Sequence, residues 1–255
     1  MTLEIRPAKE DEMDQFGLMG SYSYGGSFGD GPDNLTASSN RPEWTLCAFD
    51  GPILATAFSA FPFTMRANGR AMAYAGISGV GTRPEYRRRG LLRRIMTQSF
   101  ADMRDRGQSV AGLWASQAGI YQRYGFSINN HKRRYEIDTA DIRLNGVGDE
   151  FLKIIRHLPA EVMDTVKNLY REFVNERMCY LHRSSALWMN NVLEEGDDGP
   201  IYIAIAYDGT EPKGYVAYTL RAAKVKHRAR PQEIKILDFC WLSLSAYRAI
   251  WQYLG

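Results

Sequence analysis

One segment constrains the fold of this chain more than any other, because it joins a strand to a long helix through a basic turn. Residues 80–96 read VGTRPEYRRRGLLRRIM. Apolar side chains recur on one face of a helix predicted over about residues 88–106, and polar side chains occupy the opposite face. Gly107 is expected to end this helix. The basic turn therefore lies at the N-terminus of a helix that has one face to bury.

The basic turn has the features of an anion-binding site. The first N–H groups of a helix have no partner within the helix, and the helix dipole adds positive charge at that end. A pyrophosphate is stabilised at such a place, and Gly90 lets the main chain approach it without a Cβ in the way. Arg87, Arg88 and Arg89 oppose the helix dipole unless an anion lies among them. A solvated basic turn is the alternative reading of the arginines alone.

The hydrophobic pattern predicts a first unit of strands and helices. A helix is expected near residues 8–19, a long loop over 20–40 and a short helix over 119–124. Asn68 and Gly69 form the strongest hairpin signal. Strands are expected over residues 2–7, 44–49, 53–63, 71–82 and 110–115, with a final strand or strand pair over 126–137.

A change of composition near residues 140–150 predicts a linker to a second unit. This unit is expected to contain a helix near 159–175 and another that opens at Ser245. Its strands are expected over residues 201–207, 214–221 and 234–242. The strand–turn–strand layout of residues 45–61 recurs in residues 201–220, which predicts a duplicated fold.

The basic turn resembles the acetyl-CoA motif of the GCN5-related N-acetyltransferases (GNAT superfamily), Arg/Gln-x-x-Gly-x-Gly/Ala. Arg87, Gly90 and Leu92 stand in its frame, although Leu92 replaces a small residue. The sequence RRRGLLR is similar to the form found in the enhanced intracellular survival (Eis) branch. The resemblance implies that the main chain of Val80 and Thr82 pairs with pantetheine. It also implies that the pyrophosphate is wrapped by Arg87, Arg88, Arg89, Gly90, Leu91 and Leu92.

A second motif, WASQAGIYQRYGF at residues 114–126, resembles the Tyr-x-x-x-Gly-Phe element of the same superfamily. In that element the tyrosine protonates the CoA thiolate as it leaves, and Tyr121, Gly125 and Phe126 fit the pattern. A phenol within hydrogen-bond reach of the sulfur can donate this proton. Tyr121 is therefore the predicted catalytic acid. Tyr124 is a rival and is more simply read as a packing residue.

The resemblance implies an α+β GNAT fold, in which helices flank a mixed, mostly antiparallel twisted sheet. Residues 1–145 are expected to form the catalytic domain, and residues 146–255 a second GNAT-like domain without the cofactor motif. Trp251 stands where alignment with Arg87 and Gly90 places the glycine, so no second cofactor site is expected. Since Eis-like proteins are longer, this second domain is expected to be incomplete and the chain to be a fragment.

The function implied by the resemblance is transfer of acetyl from acetyl-CoA to a primary amine, by direct attack in a ternary complex. The acceptor is a polyamine, an aminoglycoside-like small molecule or a lysine. Asp30, Asp33 and Trp44 are candidates for binding a cationic acceptor. The base stays open between these aspartates and a chain of water molecules. A non-catalytic acetyl-CoA-binding module of the same fold is the alternative function.

Composition excludes several other classes of function. A net charge of +3 is too small to predict nucleic-acid binding. Three cysteines and four histidines show no metal-ligand spacing, so no metal site is expected. No stretch approaches the length needed to span a membrane, and the charged first turn does not resemble a signal peptide, so a cytoplasmic location is expected. Self-association into a homo-oligomer is a further expectation from the resemblance.

Overall fold

The chain forms two α+β units. A computed structural model describes residues 3–25, 40–131, 133–144, 152–193, 199–223 and 231–255. The first unit consists of residues 1–65 and 71–131, and the second of residues 66–70 and 132–255. Each unit has its own sheet and its own hydrophobic core.

The sheet of the first unit has its strands in chain order, from β1 at one edge to β5 at the other. The strands are β1 (Glu4–Arg6), β2 (Cys47–Asp50), β3 (Ile53–Ala67), β4 (Arg70–Thr82) and β5 (Val110–Gly112). β2 is antiparallel to both β1 and β3, whereas β4 and β5 are parallel. The sheet is therefore mixed, with its one parallel pair among the described registers at the β5 edge.

Two helices cover the opposite faces of this sheet. α1 (Met13–Tyr24) packs on one face and α2 (Leu91–Asp105) on the other, and α3 (Ala118–Gln122) follows β5. Alternate residues of the buried β2 segment join the two cores, as the strand period of two requires. Cys47 and Phe49 join the core around α1, and Leu46 and Ala48 join the core around α2.

The second unit repeats this layout with a four-stranded antiparallel sheet. Its strands, in spatial and chain order, are β6 (Lys153–His157), β7 (Ile201–Asp208), β8 (Glu211–Ala222) and β9 (Gln232–Trp241). α4 (Pro159–Asn175) follows β6 and packs on one face. α5 (Leu244–Leu254) follows β9 and packs on the other. The predicted fold class, with two GNAT-like sheets flanked by helices, is confirmed.

Most predicted elements are present, but the strand expected over residues 126–137 is wrong. Residues 126–131 and 133–137, as described, belong to no strand. The outer edge of β5 has no partner within the described residues, and a groove of about 630 Å³ opens beside it. The helix predicted from residue 88 begins at Leu91, because Arg88 and Gly90 both have positive φ. β6 was not predicted, since five residues are too few to show a clear period.

A partly buried ionic network ties the second sheet to the residues that cover it. The Arg183 guanidinium donates to both carboxylate oxygens of Asp238, at 2.6 and 3.0 Å. The Tyr215 hydroxyl donates to the same carboxylate at 2.5 Å. The guanidinium carbon also lies 3.8 Å from the ring centroid of Tyr170 and 4.6 Å from that of Trp188. Each charge is thus both paired and hydrogen-bonded, which is the condition for tolerating burial.

Removal of the Asp238 charge is expected to destabilise the second unit. Asp238→Asn leaves the partly buried Arg183 without its counter-charge, which should cost up to about 3 kcal/mol of unfolding free energy. The control, Glu233→Gln, breaks an exposed pair with Arg221 and is expected to stay within about 0.5 kcal/mol of the parent. Urea unfolding of the two variants measures the difference. Equal stability of the two variants would show that the network contributes no more than a surface ion pair.

Candidate functional site

The candidate site lies where β4 and β5 separate. Their parallel register pairs residues 74–76 of β4 with residues 110–112 of β5 and ends there. Within the described residues, positions 77–82 of β4 have no strand partner on the β5 side. The Val80 carbonyl accepts instead from the Tyr24 hydroxyl at 3.3 Å, and the Thr82 carbonyl accepts from Arg87 Nε at 3.2 Å. Side chains thus satisfy main-chain groups that a ligand with amides could also bind.

The exposed end of β4 is held close to α1 by small residues. Within β4, Gly79 has φ +61°, and a Cβ there would lie 2.7 Å from Cζ of Phe16. A Cβ at Gly81 would overlap Ser23 and approach Met19. Both positions therefore require glycine if α1 is to pack directly on the strand. This close packing fixes the path of β4 as it leaves β5.

The turn after β4 leads into a helix N-terminus that no side chain caps. Gly90 is the N-cap of α2, with φ 74° and ψ 10°, and no side-chain hydrogen bond reaches the first turn. Arg87, Arg88, Arg89 and Gly90 are all exposed. An added Cβ at Gly90 would meet no atom within 4 Å, so the space beside the turn is open. Unpaired N–H groups, a positive dipole end and three arginines therefore surround an accessible space suited to a phosphate.

The corresponding helix of the second unit begins differently. Only Leu242 and Ser243 separate β9 from α5, and Ser243 Oγ accepts a hydrogen bond from the Ala246 N–H at 3.1 Å. The helix N-terminus is thus capped by its own chain. Arg248 and Trp251 lie inside α5 rather than at its start, so the predicted alignment of Trp251 with Gly90 is wrong. The second unit has no basic turn between its last strand and the following helix.

Tyr121 lies on α3, on the β5 side of the separation. It is half-buried, its ring is edge-on to Phe126 with centroids 6.1 Å apart, and no hydrogen bond to its hydroxyl occurs within the described residues. Burial raises the pKa of Tyr121, and the nearby Tyr24 raises it further. Tyr24 also donates to the Val80 carbonyl, in the part of β4 that has no partner on the β5 side within the described residues. The rival Tyr124 packs against the core around α2.

The two leucines predicted to bind a cofactor point toward the protein interior. Leu91 is 3% exposed and belongs to the core around α2, and Leu92 is partly buried against the same core. Their side chains are therefore committed to packing, and only their main-chain N–H groups can face a ligand. This also accounts for the bulky residue at position 92, because its side chain does not enter the open space beside the turn.

An aromatic row marks the region predicted to bind the acceptor. Trp44 ends a short 3₁₀ helix before β2, and its ring centroid lies 5.5 Å from that of Phe61. Phe61 in turn stacks on Phe63 at 5.7 Å. The guanidinium carbon of Arg41 lies 5.2 Å from the Trp44 ring centroid, so this ring already holds a cation. Asp30 and Asp33 lie outside the described residues. Sequence reasoning missed Phe61 and Phe63, although their spacing of two on β3 was a usable signal.

Two other kinds of site are absent from the part of the chain that the structure describes. No group of three or more His, Cys, Asp or Glu side chains in that part of the chain could hold a metal ion. Among the helices that the structure describes, none combines the length and the apolar character needed to cross a membrane.

Models of known families match both units described above. Residues 4–129 match a family model described as the acetyltransferase (GNAT) domain, and residues 179–255 match a second model with the same description. The chain belongs to the GCN5-related N-acetyltransferase superfamily. Within this superfamily it is Eis-like, as its curated relatives and its structural neighbours agree.

Several relatives define the extent of this similarity. The chain is 29% identical over 186 residues to the N-acetyltransferase Eis of Mycobacterium tuberculosis, which covers 71% of this chain and 44% of that protein. It is 28% identical over 272 residues to an uncharacterized N-acetyltransferase of Streptomyces avermitilis, with coverages of 100% and 64%. The chain thus spans less than two thirds of the length of these curated relatives.

Solved structures show the same fold. Eis1 from Mycobacterium abscessus superposes with a TM-score of 0.81 at 21% identity, over all of this chain and 63% of that one. A GCN5-related N-acetyltransferase from Anabaena variabilis superposes with a TM-score of 0.80 at 19% identity, over 99% and 62%. Because both neighbours align along nearly the whole chain, the order of elements is shared through both units.

Alanine substitutions at the two glycines that flank α2 can distinguish a loss of stability from a loss of ligand binding. Gly90 and Gly107 both have positive φ, and an added Cβ at either meets no atom within 4 Å. Alanine at either site is therefore expected to cost about 1 kcal/mol of stability. Only Gly90→Ala is expected to weaken CoA binding, by about tenfold or more, because its Cβ holds phosphates away from the N–H groups. Thermal melting and isothermal titration with CoA measure the two effects. Similar CoA affinities in both variants would contradict a phosphate site at this turn.

Proposed function

We propose that this chain binds acetyl-CoA and transfers its acetyl group to a primary amine. GNAT acetyltransferases in general use acetyl-CoA as the acetyl donor. The observation that carries the proposal is that residues 77–82 of β4 have no strand partner on the β5 side within the described residues and lead through the basic turn to the uncapped N-terminus of α2. An extended chain of amides and a pyrophosphate need these two features in this order. We assign catalysis to residues 1–145 and expect residues 146–255 to bind no cofactor.

The chain has groups of suitable chemistry for each part of the donor. The main chain of Val80 and Thr82 would bind the pantetheine amides, displacing the side chains that now occupy these carbonyls. Arg87, Arg88 and Arg89 would bind phosphate oxygens through charge-assisted hydrogen bonds. The N–H groups of Gly90, Leu91 and Leu92 would complete the phosphate site from the main chain, which matches the inward direction of both leucine side chains.

The chemistry is a direct acyl transfer in which Tyr121 acts as the acid. Acetyl-CoA supplies a thioester whose carbonyl carbon the amine nitrogen attacks, and the C–S bond breaks. Tyr121 donates its hydroxyl proton to the departing sulfur. The amine loses a proton to water or to a carboxylate, and Tyr121 regains one from solvent, so the protons balance. The raised pKa of Tyr121 keeps the phenol protonated throughout the neutral range, as an acid catalyst requires.

The aromatic row favours a cationic acceptor. The faces of Trp44 and Phe61 offer a surface on which an ammonium group is stabilised by the ring quadrupoles. The binding of Arg41 to Trp44 supports this role, because a cation already lies at that ring. Polyamines and aminoglycoside-like amines carry several such groups, and a lysine side chain carries one. Asp30 and Asp33, which lie outside the described residues, stay candidates for binding the acceptor through their opposite charge.

Removal of the Tyr121 hydroxyl is expected to lower the rate of transfer. Tyr121→Phe should reduce kcat about 100-fold, with little change in either KM, because the proton is needed only as sulfur leaves. The matched variant Tyr124→Phe should retain kcat within about threefold, since its ring packs in the core. Steady-state release of CoA with a polyamine acceptor measures both.

The pH profile provides a second test of this role. Because burial raises the pKa of Tyr121, its acid form is lost only above its ordinary value of about 10. The rate should therefore rise from pH 7 to 9, as more of the amine becomes neutral, without a fall due to Tyr121. Equal losses of kcat in Tyr121→Phe and Tyr124→Phe would contradict the assignment. Tight binding of acetyl-CoA with no transfer to any amine would favour a non-catalytic binding module.

Removal of the Trp44 ring is expected to weaken acceptor binding selectively. Trp44→Leu should raise KM for a polyamine about fivefold and leave KM for acetyl-CoA unchanged, because the cation–π contribution is lost. The double variant Asp30→Asn/Asp33→Asn should also raise KM for the polyamine. Tyr135→Leu removes an exposed aromatic ring outside the proposed site and serves as the control. A rise in KM for acetyl-CoA alone would place Trp44 at the donor rather than at the acceptor.

A further inference from the structure

The basic turn is attached to the sheet at several defined points. At its start, the Arg83 N–H donates to the Ala55 carbonyl at 3.0 Å, and Arg83 Nε donates to the Leu54 carbonyl at 2.9 Å. Farther along, the Tyr86 hydroxyl donates to Asp50 Oδ2 at 2.9 Å. The turn therefore does not depend on a ligand for its attachment to β3 and to the end of β2.

Tyr86 is the buried member of this turn. It is 8% exposed, and its ring belongs to the core around α2, between two exposed neighbours. Its hydroxyl reaches the carboxylate of Asp50, and this hydrogen bond is the main reason that the pKa of Tyr86 is raised. A hydrogen bond to a carboxylate is stronger than one between neutral groups. The Tyr86 ring is thus held at both ends, by the core and by Asp50.

The three arginines of the turn differ in how they are held. The guanidinium carbon of Arg89 lies 5.0 Å from the Tyr86 ring centroid, over the ring. Arg87 directs Nε to the Thr82 carbonyl. Arg88 has φ +61°, an uncommon conformation for a residue with a side chain. None of the ion pairs within the described residues includes Arg88 or Arg89. Arg89 is therefore oriented by an aromatic face while its N–H groups stay available to an anion.

We propose that Tyr86 is a positioning residue that presents Arg89 to the phosphates of CoA and that is itself anchored by Asp50. A guanidinium with one face on an aromatic ring keeps its edge free to bind phosphate oxygens in bidentate fashion. The ring limits the side-chain freedom that Arg89 would otherwise lose on binding. This inference rests on the proposed function, because it assigns a device within the same phosphate site. It assigns a role in this phosphate site to Asp50 and Tyr86, which act through Arg89 and would not contact the phosphates themselves.

The test compares CoA affinities of the full chain by isothermal titration calorimetry. Tyr86→Phe and Asp50→Ala each remove the anchoring hydrogen bond and should weaken CoA binding about three- to tenfold. The CoA affinity of the double variant should lie within about twofold of that of the weaker-binding single variant, because both substitutions remove the same hydrogen bond. In an Arg89→Ala background, Tyr86→Phe should have no further effect on CoA affinity. The kcat and the amine KM should stay unchanged in Tyr86→Phe and in Asp50→Ala.

The control variant is Tyr218→Phe, which removes a hydroxyl bonded to Tyr253 at 2.6 Å in the second unit and should not alter CoA affinity. Thermal melting of each variant checks that it folds. If Tyr86→Phe does not fold, the CoA affinity of Asp50→Ala tests the inference in its place. Unchanged CoA affinity in both single variants would overturn the inference and leave the proposed function intact. Losses that simply add in the Arg89→Ala background would overturn it as well. A parent chain that does not bind CoA would overturn the proposed function itself.

Discussion

The early end of the β4–β5 pairing is the constraint on which the rest of the candidate site depends. Parallel strands that separate leave main-chain groups that must find other partners. Here Tyr24 and Arg87 supply hydrogen bonds to the Val80 and Thr82 carbonyls. The same separation places α2 after one strand and α3 after the other, so a basic turn and a half-buried tyrosine follow from one feature of the sheet. The gap thus underlies both the proposed donor site and the position of the proposed acid.

The two units share a fold but differ in the connection between one strand and the helix that follows it. In both, a strand of the central sheet leads into a helix that covers one face. The first unit makes this connection through residues 83–90 and leaves the helix N-terminus open to an anion. The second makes it through Leu242 and Ser243, and the serine caps the helix. A shared fold therefore does not carry a shared site, because the site lies in the connection.

The elements predicted correctly are those with strong local signals. The face of α2 repeats with the helical period, and the Asn68–Gly69 turn joins β3 and β4 as predicted. The strand predicted over residues 126–137 shows the limit of this reasoning. Its alternating residues satisfy the pattern, but a strand needs a partner along its edge, and the pattern contains no information about one. The start of α2 was misplaced for a related reason, since the backbone conformation of Arg88 is set by the attachments of the turn rather than by its own preference.

The sequence by itself determined the superfamily, the basic turn, the helix that follows it and the tyrosine motif, because each is encoded in residues that are close along the chain. Tertiary structure alone decided what those residues can do. Only the packing of α1 on Gly79 and Gly81 shows why β4 has glycine at these positions, and only the sheet register shows where β4 has no strand partner on the β5 side within the described residues. Likewise, the pairing of Asp50 with Tyr86 joins residues far apart in sequence. Local patterns report preferences of the chain, whereas hydrogen-bond partners and close approaches depend on which distant segments meet.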